Sequence, residues 1–300
     1  MVQIDGKSMN VDEVYEIAVN RAKIELSQEA MKRVKEDREK FEKLIDSDKA
    51  IYGVNTGFGS LLNVRVGRDM EKDLQKNLIR SHSAGYGEFL DETYVRAIMA
   101  VRANTLSKGY SAITPEMLEM LMEMVNKNVI PAVPRFGSVG ASGDLAPLAH
   151  IGLAMMGEGY AFYNGKKYES KEALRMAGLK PYEFREKEGV ALINGTSMMA
   201  GILSVLVKRS YNLVENAILS ALLSFEGLNG TSKAFSSWIV ESRPHHGQIY
   251  VAKKMMDLTS GSEIVKKSNE TKVQDAYTLR CIPQVYGAVI DTINYVKGVV

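Results

Sequence analysis

Apolar residues recur at helical rather than strand spacing along most of this chain. Met31, Val34, Phe41, Leu44 and Ile45 predict a helix that opens after a Ser27 cap. Val95, Ile98, Met99, Val101 and Leu106 predict another between Glu92 and Lys108. Thr114-Pro115 opens a third, with Thr114 as cap and Pro115 at the first helical position, where a missing amide is no loss. Its stripe is Met117, Leu118, Leu121, Met122 and Val125. From Ser197 to Leu228 apolar residues run almost all round, which predicts a buried helix at the centre of a bundle or an oligomer. Tyr286, Val289, Ile290, Ile293 and Val296 make a last apolar face before Val300. Strand signals are few. Val2 and Ile4 beside Asp5-Gly6 read as a short hairpin, and Tyr160 to Tyr168 as a clear one turning at Asn164-Gly165. The pattern predicts a mainly α fold whose loops carry the special residues, with no internal repeat and no linker-like break.

Composition changes this picture little. Apolar content of 45% and charged content of 25% are those of an ordinary globular protein. With 38 basic and 36 acidic residues intermixed, the net charge is +2 and no basic stripe supports binding to nucleic acid or a membrane surface. Lys32 to Lys43 alternate in sign and read as a solvated helix face. The single cysteine, Cys281, excludes an internal disulfide framework and fits a reducing compartment. The first residues show neither a basic nor an apolar signal region, and the run Met198 to Val207, closed by Lys208-Arg209, is too short for a bilayer. A cytoplasmic protein is expected. The 16 methionines read as core filling.

The chemistry concentrates in Gly140 to Leu148, Gly-Ala-Ser-Gly-Asp-Leu-Ala-Pro-Leu. Gly143 has no Cβ, so its nitrogen can approach the Ala141 carbonyl carbon closely. Attack and loss of water close a five-membered ring, and loss of the Ser142 hydroxyl leaves an exocyclic methylidene. The product is an electrophile made from backbone, a capacity that side chains lack and cofactors normally provide. No lysine follows these glycines as a P-loop requires, and Asp144 occupies the last position of a hydrolase elbow centred on Ser142. A Ser142, Asp144, His150 triad would crowd three members into nine residues.

Gly137 to His150, Gly-Ser-Val-Gly-Ala-Ser-Gly-Asp-Leu-Ala-Pro-Leu-Ala-His, resembles the signature of the aromatic amino acid ammonia-lyases and aminomutases, with the histidine-specific members nearest. The resemblance implies a cofactor, 4-methylideneimidazole-5-one, formed from Ala141, Ser142 and Gly143, with no imported cofactor and no metal. It implies a fumarase/aspartase-like helical fold, here an N-terminal region over residues 1–196 and the start of a central bundle over 197–300. The family's later segments, including an Asn-Ala-Ala-x-Asp-Asn-Pro-like stretch, have no counterpart here.

Further motifs acquire roles by the same resemblance. Tyr52, in Ile51 to Gly59 (Ile-Tyr-Gly-Val-Asn-Thr-Gly-Phe-Gly), corresponds to the loop tyrosine that removes the β-proton. An ordinary phenol titrates near pH ~10, so that role needs a site favouring the anion. His82, in Arg-Ser-His-Ser-Ala-Gly, corresponds to the residue that reads the substrate side chain, and a Ser-His pair is the histidine-specific pattern. Asn194 binds near the substrate carboxylate and the ring. Gln274, Tyr277 and Arg280, spaced to share one side of a helix, contribute substrate contacts, assistance with the proton, and a forked carboxylate anchor. Pro283 limits that helix. His245-His246 lack spaced partners for a metal and read as structural, as does His150.

Three activities follow as alternatives. The first is elimination of ammonia from L-histidine to give urocanate. The second is a tyrosine ammonia-lyase or 2,3-aminomutase. The third, of another class, is a non-catalytic fragment or assembly subunit. The resemblance also implies a homotetramer, or a second chain supplying the missing part, acting on a small amino acid substrate.

Overall fold

The computed structural model describes residues 1–45, 51, 54, 56 and 71–300. These form two compact units, Met1–Val205 and Leu206–Val300.

The first unit opens with β1 (Val2–Ile4), α1 (Val11–Ala18), β2 (Ile24–Leu26) and α2 (Gln28–Ile45). The expected hairpin at Asp5-Gly6 is not formed: β1 pairs in parallel with β2, Val2 opposite Ile24, and α1 is the crossover. Asp5 instead accepts the amides of Lys7 and Ser8 and steers the chain toward α1. There Asn10 and Glu13 form a capping box. Ser27 caps α2 as expected, its Oγ accepting the Ala30 amide at 3.1 Å.

Next come α3 (Glu71–His82), β3 (Tyr86–Phe89), α4 (Glu92–Leu106) and α5 (Pro115–Asn126). Thr114 caps α5 through the Met117 amide, and the five residues of its predicted stripe are buried. The chain continues through β4 (Ile130–Pro131), β5 (Pro134–Phe136), α6 (Leu145–Met155), β6 (Tyr160–Tyr163), β7 (Lys166–Glu169), α7 (Ser170–Met176) and α8 (Glu188–Ile193). β6 and β7 form the expected hairpin, with Asn164 and Gly165 both at positive φ as a two-residue primed turn requires. The core lies among α4, α5, α6 and α8, where Ile98, Met99, Leu118, Leu121, Leu148 and Leu192 are buried.

Among the described residues, three arginines are buried within these helices. Arg38 departs from the solvated face expected of its segment: its Nη1 donates to the carbonyls of Ala112 and Glu186. Arg96 donates to the carbonyls of Ile17 and Val125, at the C-terminal ends of α1 and α5. A cation is favoured there by the helix dipole. Burial still lowers its pKa to about 10. Arg102 serves α8 in the same way.

α9 (Ser197–Gly227) starts in the first unit and continues into the second. Its expected burial is only partly met, because Leu213 and Leu223 are 70% and 73% exposed. The helical stretch Glu188–Gly227 is long and apolar enough to cross a membrane, although the Met198–Val207 run alone is not; half of its apolar window packs inside the protein. The second unit continues with a 3₁₀ turn (Ser232–Phe235), α10 (Ser237–Glu241), α11 (His246–Thr259), α12 (Glu263–Thr271), α13 (Tyr277–Arg280) and α14 (Ile282–Val299). α11 and α14 cross backbone to backbone at Gly247 and Gly287, and the Gly247 amide donates to Asp291 at 2.8 Å.

Candidate active site

The Ala-Ser-Gly turn joins β5 to α6. Gly140 and Gly143 take positive φ, +66° and +84°, and Ala141 and Ser142 between them are exposed. A Cβ on Gly143 would stand 2.7 Å from the Gly195 carbonyl oxygen and 2.8 Å from its nitrogen, so only glycine fits. The next amide, that of Asp144, donates to the same carbonyl at 2.6 Å.

Asp144 occupies the N-cap of α6 yet makes no cap hydrogen bond there. Its buried carboxylate accepts the Ser138 hydroxyl at 2.6 Å and the amides of Met198 and Met199 at 2.9 and 3.1 Å. Those amides belong to the first turn of α9, where donors lack intrahelical partners and an anion is favoured. The turn is thereby fastened to the stretch from Gly195 to Met199.

Beneath that stretch lies Arg102. Its Nη2 donates to the carbonyls of Ala191 and, at 2.9 Å, Asn194. A Cβ on Gly195 would overlap Arg102 Nη1, so the guanidinium packs against the bare Gly195 backbone. Burial lowers the Arg102 pKa to about 10. Asn194 is the C-cap of α8 and is exposed.

His82 ends α3 and is half-buried. Its Nδ1 lies 2.9 Å from the Leu78 carbonyl, which only accepts, so Nδ1 is the donor in that contact and Nε2 is the acceptor of the corresponding neutral tautomer. Three residues on, the Gly85 amide donates to His150 Nε2 at 3.1 Å, and a Cβ on Gly137 would stand 3.3 Å from Gly85 Cα. The segment leaving His82 thus packs on the start of the signature. Burial holds the His150 imidazole below its usual pKa. No Ser142–Asp144–His150 triad exists, because Asp144 faces Ser138 and α9 while His150 faces Gly85.

Tyr52 lies outside the described residues. Gln274, Tyr277 and Arg280 belong to the second unit. They do not share one helix: α13 starts only at Tyr277, and Gln274 precedes it. Pro283 sits in the first turn of α14, so it begins a helix and bounds α13 from the far side. Tyr277 is exposed, with the Arg280 guanidinium 5.6 Å from its ring centroid. Arg280 Nε donates to the Asp275 carbonyl at 3.1 Å, and its Nη groups make no hydrogen bond among the described residues. His245 and His246 are exposed, and no group of three metal-ligating side chains occurs among the described residues.

Residues 9–300 match the family model "Aromatic amino acid lyase". The chain belongs to that family. Among relatives of the chain, a probable histidine ammonia-lyase of Thermoplasma acidophilum is 61% identical over all of the chain and 60% of its own length. The crystal structure of a tyrosine aminomutase from Streptomyces globisporus superposes with a TM-score of 0.92 at 38% identity, covering 99% of this chain and 60% of that one. A histidine ammonia-lyase structure from Trypanosoma cruzi gives 0.88 at 35% identity, covering 99% and 55%. The chain spans about 60% of the length of the curated relatives it matches.

Sequence reasoning missed three contributors to this candidate site: Ser138, Gly195 and Arg102. The available signal for Arg102 was a charge inside the apolar stretch Ala97 to Leu106, where a solvated face has no room.

Proposed function

We propose that this lyase eliminates ammonia from L-histidine to give urocanate, through a ring closed from Ala141, Ser142 and Gly143. One observation carries the reading: Gly143, at φ +84°, is pressed against Gly195 where a Cβ cannot stand, next to an exposed Ser142. That bare backbone suits a nitrogen that must reach the carbonyl carbon two residues earlier. The ring supplies an electron-poor alkene that makes the substrate amine a better leaving group.

The chain's own residues hold the substrate and move its proton. His82, with its proton on Nδ1, offers Nε2 to an imidazole N–H of the substrate. A site built for such a hydrogen bond rejects analogues lacking it. Asn194 and Arg280 hold the carboxylate end, Arg280 through its two Nη groups. Gln274 contacts the substrate, Tyr52 removes the β-proton as phenolate, and Tyr277 assists it. The high identity to histidine ammonia-lyases supports histidine over other amino acids. The single cysteine supports a reducing, cytoplasmic setting. The exposed leucines of α9 support assembly into a homotetramer, with the remaining family segments supplied in the full polypeptide or by a second chain.

A second reading, tyrosine 2,3-aminomutase, is favoured by the close superposition on that enzyme. Incubation with L-histidine and L-tyrosine separates the two: urocanate absorbance is expected from histidine alone. Formation of a β-amino acid from tyrosine, without urocanate, would replace the first reading by the second. Intact mass tests the ring itself, since closure removes two waters. A chain at its unmodified mass leaves only an assembly role.

A further inference from the structure

Gly195 is held between two neighbours. On one side Gly143 approaches so closely that a Cβ on it would stand 2.7 Å from the Gly195 carbonyl oxygen. On the other lies the Arg102 guanidinium, with Nη1 where a Gly195 Cβ would be. Arg102 is buried, and no carboxylate neutralises it among the described residues. Its Nε has no hydrogen-bond partner among the described residues, and Nη2 alone donates to two carbonyls, those of Ala191 and Asn194, at the end of α8.

A buried cation without a counter-ion is destabilising, because its desolvation is not repaid by an opposite charge. An apolar side chain of similar volume would fill the same space without that penalty. What methionine or leucine cannot do is hold two carbonyls in a fixed plane. The Asn194 carbonyl precedes the Gly195 nitrogen in one rigid peptide unit. Fixing that oxygen therefore fixes the plate against which Gly143 packs, and the Gly195 carbonyl beyond it receives the Asp144 amide at 2.6 Å.

We propose that Arg102 is a positioning residue for ring closure: by clamping the Asn194–Gly195 peptide it keeps the backbone of Gly143 compressed toward Ala141. It touches neither the reacting atoms nor the substrate. The inference rests on the ring reading above and adds to it the device that holds the turn in a closing geometry.

The test uses the full polypeptide with Arg102→Met, Arg102→Gln and Arg102→Lys. Each is purified as folded protein, checked by circular dichroism and thermal melting, and then weighed intact. In wild type both waters are expected to be lost. Folded Arg102→Met is expected to retain them in at least half of its molecules, with Arg102→Lys between the two and Arg102→Gln nearer to Met. A purely structural role lowers the melting temperature but leaves the folded fraction fully cyclised, so the mass ratio within folded protein is the deciding readout. Folded Arg102→Met as light as wild type overturns the proposal. So does failure of all three variants to fold, which makes Arg102 a residue of the core alone. A wild-type chain that keeps its two waters refutes the ring itself and is recognised separately from either variant result.

Discussion

Asp144 caps a helix to which it does not belong: its carboxylate accepts the Met198 amide at 2.9 Å, across 54 residues of chain. The start of α9 and the Ala-Ser-Gly turn are thereby one structure, and their stabilities are coupled.

Asp144→Ala removes the acceptor of two first-turn amides and of the Ser138 hydroxyl. A single cap is worth about 0.5–2 kcal/mol and one unsatisfied buried donor about 1–3 kcal/mol, and the three donors here are only partly buried, so water takes over some of them. A loss of about 3 kcal/mol is expected in denaturant unfolding, with Asp144→Asn losing less. A loss below about 0.5 kcal/mol would mean that water replaces the carboxylate.

Gly143→Ala and Gly165→Ala share a positive φ but differ in surroundings. Gly165, in the β6–β7 turn, has nothing within 4 Å of the point where a Cβ would stand, whereas Gly143 meets Gly195. Gly165→Ala is expected to cost about 1–2 kcal/mol from the backbone conformation alone. Gly143→Ala should cost more and abolish the loss of two waters. Equal melting temperatures for the two variants would contradict the contact with Gly195.

Stability is expected to fall on mild acidification through His150. Unfolded, its imidazole takes a proton near pH ~6.5. Folded, burial lowers that pKa, and the lone pair on Nε2 accepts the Gly85 amide. Below the unfolded value the unfolded chain binds more protons, so stability drops as pH falls toward the folded pKa. Melting temperatures measured from pH 7.5 to 5 should decline in wild type and decline less in His150→Gln. Identical slopes would remove His150 from the account.

Leu213→Lys combined with Leu223→Lys tests the exposed face of α9. Both positions are solvated in the single chain, where surface substitutions usually change stability by about 0.5 kcal/mol or less. If this face is buried in a tetramer, the double variant is expected to run as a smaller species in light scattering while keeping its helical content. An unchanged oligomer would place the interface elsewhere.

Local physics was legible in the sequence where it acts within a few residues. Thr114-Pro115, Ser27 and Asn164-Gly165 each satisfy neighbouring backbone groups, and each formed the predicted cap or turn. Long-range partners were not legible. Asp5-Gly6 has the composition of a turn, but the strand that pairs with β1 lies beyond α1. Arg38 sits in a sign-alternating segment, and nothing local announces the carbonyls of Ala112 and Glu186 that draw it inward. Gln274 and Tyr277 have helical spacing, yet the Asp275 carboxylate turns back to accept the Thr231 amide at 2.6 Å, and the chain enters α13 only afterwards. At the candidate site the tripeptide could be read directly, while its supports, Gly195 and Arg102, could not. Their roles exist only once α4 and α8 have met.

The reach of Asp144 to the amides of Met198 and Met199 has a consequence for biosynthesis. A nascent chain exposes Ala141 to Gly143 well before those amides leave the ribosome. Until they emerge the turn has no anchor on that flank, so any modification that depends on its folded geometry is timed by translation of a segment more than fifty codons downstream.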